Sequence, residues 1–209
     1  DFLYAGALPG RHHNPQMTRA QGLRRLMALV REAAGPDVFL LGCGGPVGPL
    51  IGLVDGMRIG TDTAPEWAPG FWGFDLLLKK NQALPSLRNS LKNAASRAWM
   101  HNRWWVNDPD TLIMRDDETE LTEGEVRTQV TLLGLSGGTL MLSDDLDNLS
   151  PERRAMAALL FPPLLEGMDT IDLFDHSMPE TMIAPMARRW GRWRLLGLFN
   201  WGEDPVERT

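Results

Sequence analysis

One cysteine, Cys43, and one tyrosine, Tyr4, are all that the 209 residues contain of either type. A lone cysteine excludes an internal disulfide, the usual staple of a small secreted domain, and tilts the compartment towards a reducing, cytoplasmic one. No run approaches the roughly 20 apolar residues that a membrane span needs, and no basic segment leads into an apolar one. Nothing in the sequence therefore targets a membrane. Basic residues are also in deficit: 21 Lys and Arg against 27 Asp and Glu give a formal charge of −6 and a pI near 5.2. Mixed along the whole length, that balance offers no electrostatic ground for a nucleic-acid or phospholipid partner. The four histidines give no metal centre. His12 and His13 are adjacent in a loop, His101 and His176 are isolated, and no Cys/His cluster has ligand spacing.

What is present is apolar bulk and tryptophan. An apolar fraction of 43% suffices for a sizeable core. Eight tryptophans supply flat indole faces, which either pack a core or stack sugar rings through their C–H surfaces.

Hydrophobic periodicity predicts alternating strands and helices. Asp1-Phe-Leu-Tyr reads as a strand end, met in mid-pattern, so the chain is expected to be a fragment of a longer domain. A helix follows from about Thr18 to Ala34, with Leu23, Leu26, Met27 and Val30 at helical spacing and Gly35-Pro36 as its stop. Asp37 to Gly44 is a short apolar run ending in glycines, the pattern of a strand buried on both faces. Val54–Gly60 and Trp104–Val106 read as further strands, and Thr139–Leu142 as another. Helices are predicted over about Pro85–Met100, Leu121–Leu135, where Thr122 and Glu125 form a capping box, and Pro151–Leu160. From about Ile171 the pattern changes to short strands, Ile171–Phe174 and Arg192–Trp201.

Strict βα alternation argues for a parallel sheet with helices outside it. Asp1, Cys43, Asp62, Asp108, Asp110, Asp144 and Asp145 all fall at or just beyond strand C-termini. Polar groups contributed by successive strands to one rim are the arrangement of a (β/α)8 barrel, whereas an open sheet concentrates its site at one switch point. The expected architecture is α/β: the C-terminal part of a (β/α)8 TIM barrel over 1–166, then the beginning of a small β-sandwich over 167–209.

Several chemistries can be set aside. Gly42-Cys-Gly-Gly-Pro-Val-Gly lacks the P-loop lysine and the dinucleotide glycine pattern, and no nucleophile elbow marks a Ser/His/Asp triad. A carboxylate-only Ca²⁺ site at Asp144, Asp145 and Asp147 is the one metal alternative. Carboxylates among tryptophans on a barrel rim suit glycoside hydrolysis, in which one ionised carboxylate attacks the anomeric carbon and a protonated one donates to the leaving oxygen. Spacing alone does not say which aspartate takes which part.

The runs Asp1-Phe-Leu-Tyr-Ala-Gly-Ala, Leu41-Gly-Cys-Gly, Val54-Asp-Gly-Met-Arg-Ile-Gly-Thr-Asp62-Thr-Ala-Pro, Asn107-Asp-Pro-Asp and Ser143-Asp-Asp resemble the α-galactosidases of glycoside hydrolase family 36. They occur in the family's order and at similar intervals, over roughly residues 1 to 165. The resemblance implies a retaining α-galactosidase that needs no cofactor and takes an α-galactoside oligosaccharide. It also implies roles. Asp1 corresponds to the nucleophile, although the lysine that precedes it in the family is missing. Asp62 corresponds to the general acid/base, and Arg58 sits beside the sugar. Cys43 and Gly44 follow the strand end that lines the galactose pocket.

Trp67 is a candidate wall of the sugar pocket or a packing residue. Asp55, earlier in its strand, reads as structural, as do Asp108 and Asp110 on the next loop and His101, placed where a helix end favours positive charge. The alternatives are an α-galactosyl transferase of the raffinose-synthase type and a catalytically inert carbohydrate-binding fragment. Exposed strand edges would give a partial barrel a surface for self-association.

Overall fold

The computed structural model describes residues 1–11, 13–70 and 75–207; His12 and the end of the Pro/Trp/Gly-rich loop lie outside them. Helix α1, Arg19–Ala34, begins at a capping box in which the Thr18 side chain accepts from Gln21 N–H and the Gln21 side chain accepts in return from Thr18 N–H. It ends at Gly35, whose φ of 82° only glycine adopts without strain. Leu23 and Met27 are buried, but Leu26 and Val30, predicted on the same stripe, stay exposed.

Strand β1, Leu41–Gly42, is followed by a single turn of helix, α2 (Val47–Leu50), and by β2, Gly56–Arg58. After α3 (Asp75–Leu78) and α4 (Leu87–Arg97) come β3 (Val106–Asp108) and β4 (Thr111–Leu112). Helix α5, Glu123–Ser136, strand β5, Met141–Leu142, and helix α6, Pro151–Ala158, complete the alternation. The capping box expected at Thr122 and Glu125 is present at the start of α5.

β1, β2 and β3 pair in parallel in that order, and β4 pairs in parallel with β5. Thr139 N–H donates to the Asn107 carbonyl at 2.9 Å, which lays the approach to β5 along β3. On the opposite side, Leu3 and Tyr4 N–H groups donate to the Cys43 and Gly44 carbonyls, at 3.3 and 2.7 Å. β1, β2 and β3 are thus neighbours in chain order and run the same way, as do β4 and β5.

Three expectations are corrected. The opening segment is not a strand: Phe2 has a φ of 48°, and Leu3–Ala7 is a 3-10 turn. β1 is not buried on both faces, because Val38, Phe39 and Leu41 are exposed and no described strand extends the sheet beyond it. Ile171–Phe174 forms turns, and the short strand there is β6, Asp169–Thr170. Asp172 explains the turns: its carboxylate accepts from Glu180 and Thr181 N–H, at 2.9 and 3.1 Å, and so closes the loop on itself.

β6 pairs antiparallel with β7, Thr181–Arg188, and β7 forms a hairpin with β8, Gly191–Leu198. Pro185, which has no N–H to give, lies beyond the stretch that β6 covers.

Two apolar clusters hold these layers. The larger joins Leu87 and Leu91 of α4, Leu132 and Leu133 of α5 and Leu112 of β4 to Met182 of β7, so the C-terminal sheet shares its core with the helices. The smaller packs α1 through Leu23 and Met27 against Leu50, Met57 and Trp105. Trp104 meets both Trp99 and Trp105 edge to face, as core packing.

His101 is buried here too. Its Nδ1 accepts from Asn107 N–H at 3.2 Å, and burial holds its pKa below the ordinary value despite a hydrogen bond to the Leu165 carbonyl. The positive charge expected at this helix end is thus disfavoured.

Candidate active site at the strand ends

Arg58, the last residue of β2, gathers three carboxylates. Its Nε donates to Asp108 Oδ2 at 3.0 Å, its Nη1 to Asp62 Oδ1 at 3.0 Å, and its Nη2 pairs with Asp110 Oδ1 at 2.9 Å. The side chain is 15% exposed, Asp108 1%, Asp110 13% and Asp62 73%. Three carboxylates on one guanidinium leave the group net negative, with Asp62 as its open member.

Burial would lower the Arg58 pKa, but the charges of Asp108 and Asp110 and the Asp108 hydrogen bond outweigh it, with a further contribution from Cys43. The guanidinium is held above its usual range and stays charged.

The cluster is fixed from behind. Asp108 Oδ1 accepts from Asp110 N–H at 2.9 Å and from the Thr139 hydroxyl at 3.1 Å. Asp110 has a φ of 76°, a conformation that Asp tolerates better than most residues, and its Oδ2 accepts from Thr63 N–H at 2.7 Å. That bond ties the loop carrying Asp62 to the loop after β3. Ile59 N–H donates to the Asp108 carbonyl at 3.0 Å, which keeps β2 and β3 in register up to the site.

At the neighbouring strand end, Asp1 Oδ1 accepts from Phe2 N–H at 2.7 Å, and Asp1 is exposed. Phe2 lies against Gly44: a Cβ on Gly44 would meet the Phe2 N and Cα at 3.3 Å, and Gly44 has a φ of 64°. Absence of a side chain at Gly44 is what lets the Asp1 segment approach.

Among the residues singled out in the sequence, Arg58 and Asp62 are in direct contact, Cys43 lies near them, and Phe2, next to Asp1, meets Gly44 at the adjoining strand end. Trp67 is half-buried, stacks on Trp201 with centroids 6.5 Å apart and packs against the larger core cluster. Asp55 accepts from Leu40 N–H at 2.7 Å and from Arg31; these two, the backbone bond foremost, lower its pKa. It is a structural residue.

Asp108 and Asp110 read as loop supports, and they are supports of the site itself, through Arg58. Thr139 and Thr63 had no signal in the sequence, since a threonine at a strand start or in a loop has no distinctive pattern.

The aspartates of the Ca²⁺ alternative do not converge. Asp144 accepts from Met114 N–H and faces Arg115 at 3.6 Å, while Asp145 accepts from Asp147 N–H and Asn148. Among the described residues, one group, Asp172, His176 and Glu180, brings three ligand-type atoms within 4.8 Å of one another. Both Asp172 oxygens there are engaged in closing the loop. No described helix is long and apolar enough to cross a membrane.

No family model matches the sequence. Among solved structures, the chain aligns with TtGalA, the α-galactosidase from Thermus thermophilus in complex with p-nitrophenyl α-D-galactopyranoside. The TM-score is 0.64 and the identity 30%, over 88% of this chain and 34% of that one. The same enzyme in complex with stachyose gives a TM-score of 0.64 and 33% identity, over 78% and 33% of the two chains. The chain is similar to α-galactosidases. An α-galactosidase from Saccharomyces cerevisiae with raffinose, at a TM-score of 0.50 and 16% identity over 80% of this chain and 40% of that one, agrees in fold alone. The chain spans about a third of the length of the Thermus thermophilus enzyme.

Proposed function

We propose that this chain is part of a retaining α-galactosidase of glycoside hydrolase family 36, with Asp1 as nucleophile and Asp62 as general acid/base. The observation that carries the reading is the Arg58 cluster: an open aspartate, Asp62, held on a buried, braced guanidinium at a strand C-terminus, one strand removed from the end where Asp1 stands. The barrel reading is supported by parallel segments that are neighbours in chain order with their polar groups at one end. Residues 1–166 would belong to that barrel and 167–209 to a C-terminal β-sandwich.

In this mechanism Asp1 attacks the anomeric carbon while Asp62 protonates the departing glycosidic oxygen. A glycosyl ester on Asp1 results, and Asp62, now ionised, activates the water that releases the sugar with retention. The two carboxyl groups must then stand about 5–5.5 Å apart with substrate bound. As acid, Asp62 must carry its proton when substrate arrives. Arg58 keeps the Asp62 carboxyl on the sugar side. Cys43 and Gly44, at the end of β1, would line the galactose pocket, their small size admitting the ring to the backbone, and Trp67 would wall the approach to it. An α-galactoside oligosaccharide is the substrate class that the Thermus thermophilus complexes suggest.

The test is release of nitrophenol from a panel of aryl α- and β-glycosides by the protein carrying this chain, with Asp1→Asn and Asp62→Asn beside it. Turnover of the α-galactoside alone, lost in both variants, supports the reading. Activity surviving Asp1→Asn overturns the nucleophile, and galactosyl transfer to sucrose in place of hydrolysis favours the transferase.

A further inference from the structure

Residues 76–107 carry Lys79, Lys80, Arg88, Lys92, Arg97 and Arg103 but no Asp or Glu, on a chain whose formal charge is −6. Among the described residues only Arg103 of these has a carboxylate partner, Asp169 at 3.0 Å. Helix α4 turns Lys92, Asn93, Ser96 and Arg97 to one side, away from the core face formed by Leu87, Leu91, Ala94 and Ala95. With Gln82 and Ala83 of the preceding loop they line a cleft of about 420 Å³. That loop is held over the helix by Asn89, 6% exposed, whose Nδ2 donates to the Asn81 and Leu84 carbonyls, both at 2.9 Å.

Charge in the cleft is one-sided: Lys92 and Arg97 line it and no carboxylate does. Arg97 is half-buried, and burial alone holds its guanidinium below the usual pKa range. One of its N–H groups donates to the Ile59 carbonyl, which leaves the rest of the fork for a ligand. A cation drawn out of water without a partner is costly, so an anion entering beside Arg97 gains more than it would on an open surface. None of the lining residues is aromatic or large and apolar, so the cleft offers no face on which a nucleobase or a sugar ring could stack. Its volume falls in the range of about 300–1,000 Å³ typical of small-molecule sites.

We propose that this cleft binds the phosphate group of a small polar molecule, at a site that shares no lining residue with the Arg58 cluster. A phosphate monoester carries about −1.5 to −2 charges and three acceptor oxygens. Lys92 answers that charge as a point and Arg97 as a fork, and the Ser96 hydroxyl and Gln82 amide add donors. A single carboxylate would match one of the two cations and leave the other uncompensated. The cleft abuts the turn that joins Arg58 to Asp62. Arg97 holds the Ile59 carbonyl, a Cβ on Gly60 would meet the Asn93 Cβ at 3.0 Å, and the Thr61 hydroxyl donates to the Ala83 carbonyl at 3.4 Å. A bound phosphate would therefore brace that turn from outside. The inference does not rest on the reading of Asp1 and Asp62, because its readout is binding.

The experiment is calorimetric titration of the protein carrying this chain with glycerol 3-phosphate, with glycerol as the uncharged control and inorganic phosphate as the bare ion. Saturable binding of glycerol 3-phosphate is expected, weakened about tenfold or more in Lys92→Gln and in Arg97→Gln. Binding is expected to be unchanged in Arg25→Gln, which removes the same charge from the exposed side of α1. Arg97→Gln also releases the Ile59 carbonyl, so Lys92→Gln, at a half-buried position outside the core, is the variant that tests charge alone. It should keep the parent melting temperature, which is measured alongside. Saturation by inorganic phosphate as tightly as by the ester assigns the cleft to the free ion, and saturation by the ester alone assigns it to a phosphorylated metabolite; either supports the proposal. Absence of saturable binding by both overturns it. So does equal binding of glycerol, unaltered binding in Lys92→Gln, or an equal loss in Arg25→Gln.

Discussion

Arg58 Nε and Asp108 Oδ2 stand 3.0 Å apart in a pair whose acidic member is 1% exposed. Two charges taken out of water stabilise the fold only while each keeps its partner; removing one leaves the other buried and uncompensated, at a cost of about 3–5 kcal/mol. Asp110 and Asp62 would still face Arg58, so Asp108→Asn is expected at the lower end, about 3 kcal/mol. The measurement is the urea midpoint at unchanged m-value. A loss under about 1 kcal/mol would mean that the other two carboxylates suffice.

Asp62 sits on the same guanidinium with its side chain 73% exposed, and the expected outcome is the reverse. Exposed ion pairs contribute about 0–1 kcal/mol, so Asp62→Asn leaves stability nearly unchanged. If Asp62 is the acid/base, turnover of an aryl α-galactoside falls by about 10²–10⁴-fold. Asp62→Asn with intact activity would remove it from the mechanism. Asp108→Asn and Asp62→Asn together separate holding the site from performing the chemistry.

The helices were legible because their signals are local. Thr122 and Glu125 announce the start of α5, and Gly35-Pro36 the end of α1, with no help from the rest of the chain. Strands of two or three residues carry no such signal. Leu41 was read as buried because apolar runs usually are, yet its exposure depends on which segment lies beside β1. β4 is two residues long and follows a turn at Asp110, so no periodicity could mark it. At the site, the order of the aspartates was readable, while the sharing of Arg58 among three of them depends on the Asp110 backbone at φ 76° and on Thr63, some 47 residues away.

His101 gives a pH dependence whose sign is fixed by its surroundings. Its Nδ1 accepts from Asn107 N–H, so protonation there breaks a bond, and burial lowers its pKa from the ordinary 6.5. In the unfolded chain the imidazole takes up a proton as pH falls through about 6.5, while the folded one resists until its own lower value. The stabilising contribution is therefore complete above about 6.5 and is lost progressively below it. Unfolding free energy measured between about pH 5 and 7 should fall with falling pH in the parent and show a flatter slope in His101→Gln. Asp55, Asp116 and Glu166, whose pKa values are lowered chiefly by hydrogen bonds, act in the same direction only below about pH 4.

Two glycines test how closely backbone segments approach. Gly138 has a φ of 97°, and a Cβ there would fall against the Asn107 carbonyl oxygen, the group that receives Thr139 N–H and aligns β3 with β5. Gly124 lies in the first turn of α5 with nothing within 4 Å of the same position. Gly138→Ala is expected to destabilise by about 2 kcal/mol or more, through left-handed strain plus the clash. Gly124→Ala is expected to stabilise by about 0.4–1 kcal/mol, because alanine loses less entropy in a helix and meets no obstacle. Thermal unfolding of both checks the pair. Because Asn107 adjoins Asp108, Gly138→Ala should also weaken the hold on Arg58 and lower activity, whereas Gly124→Ala leaves it intact.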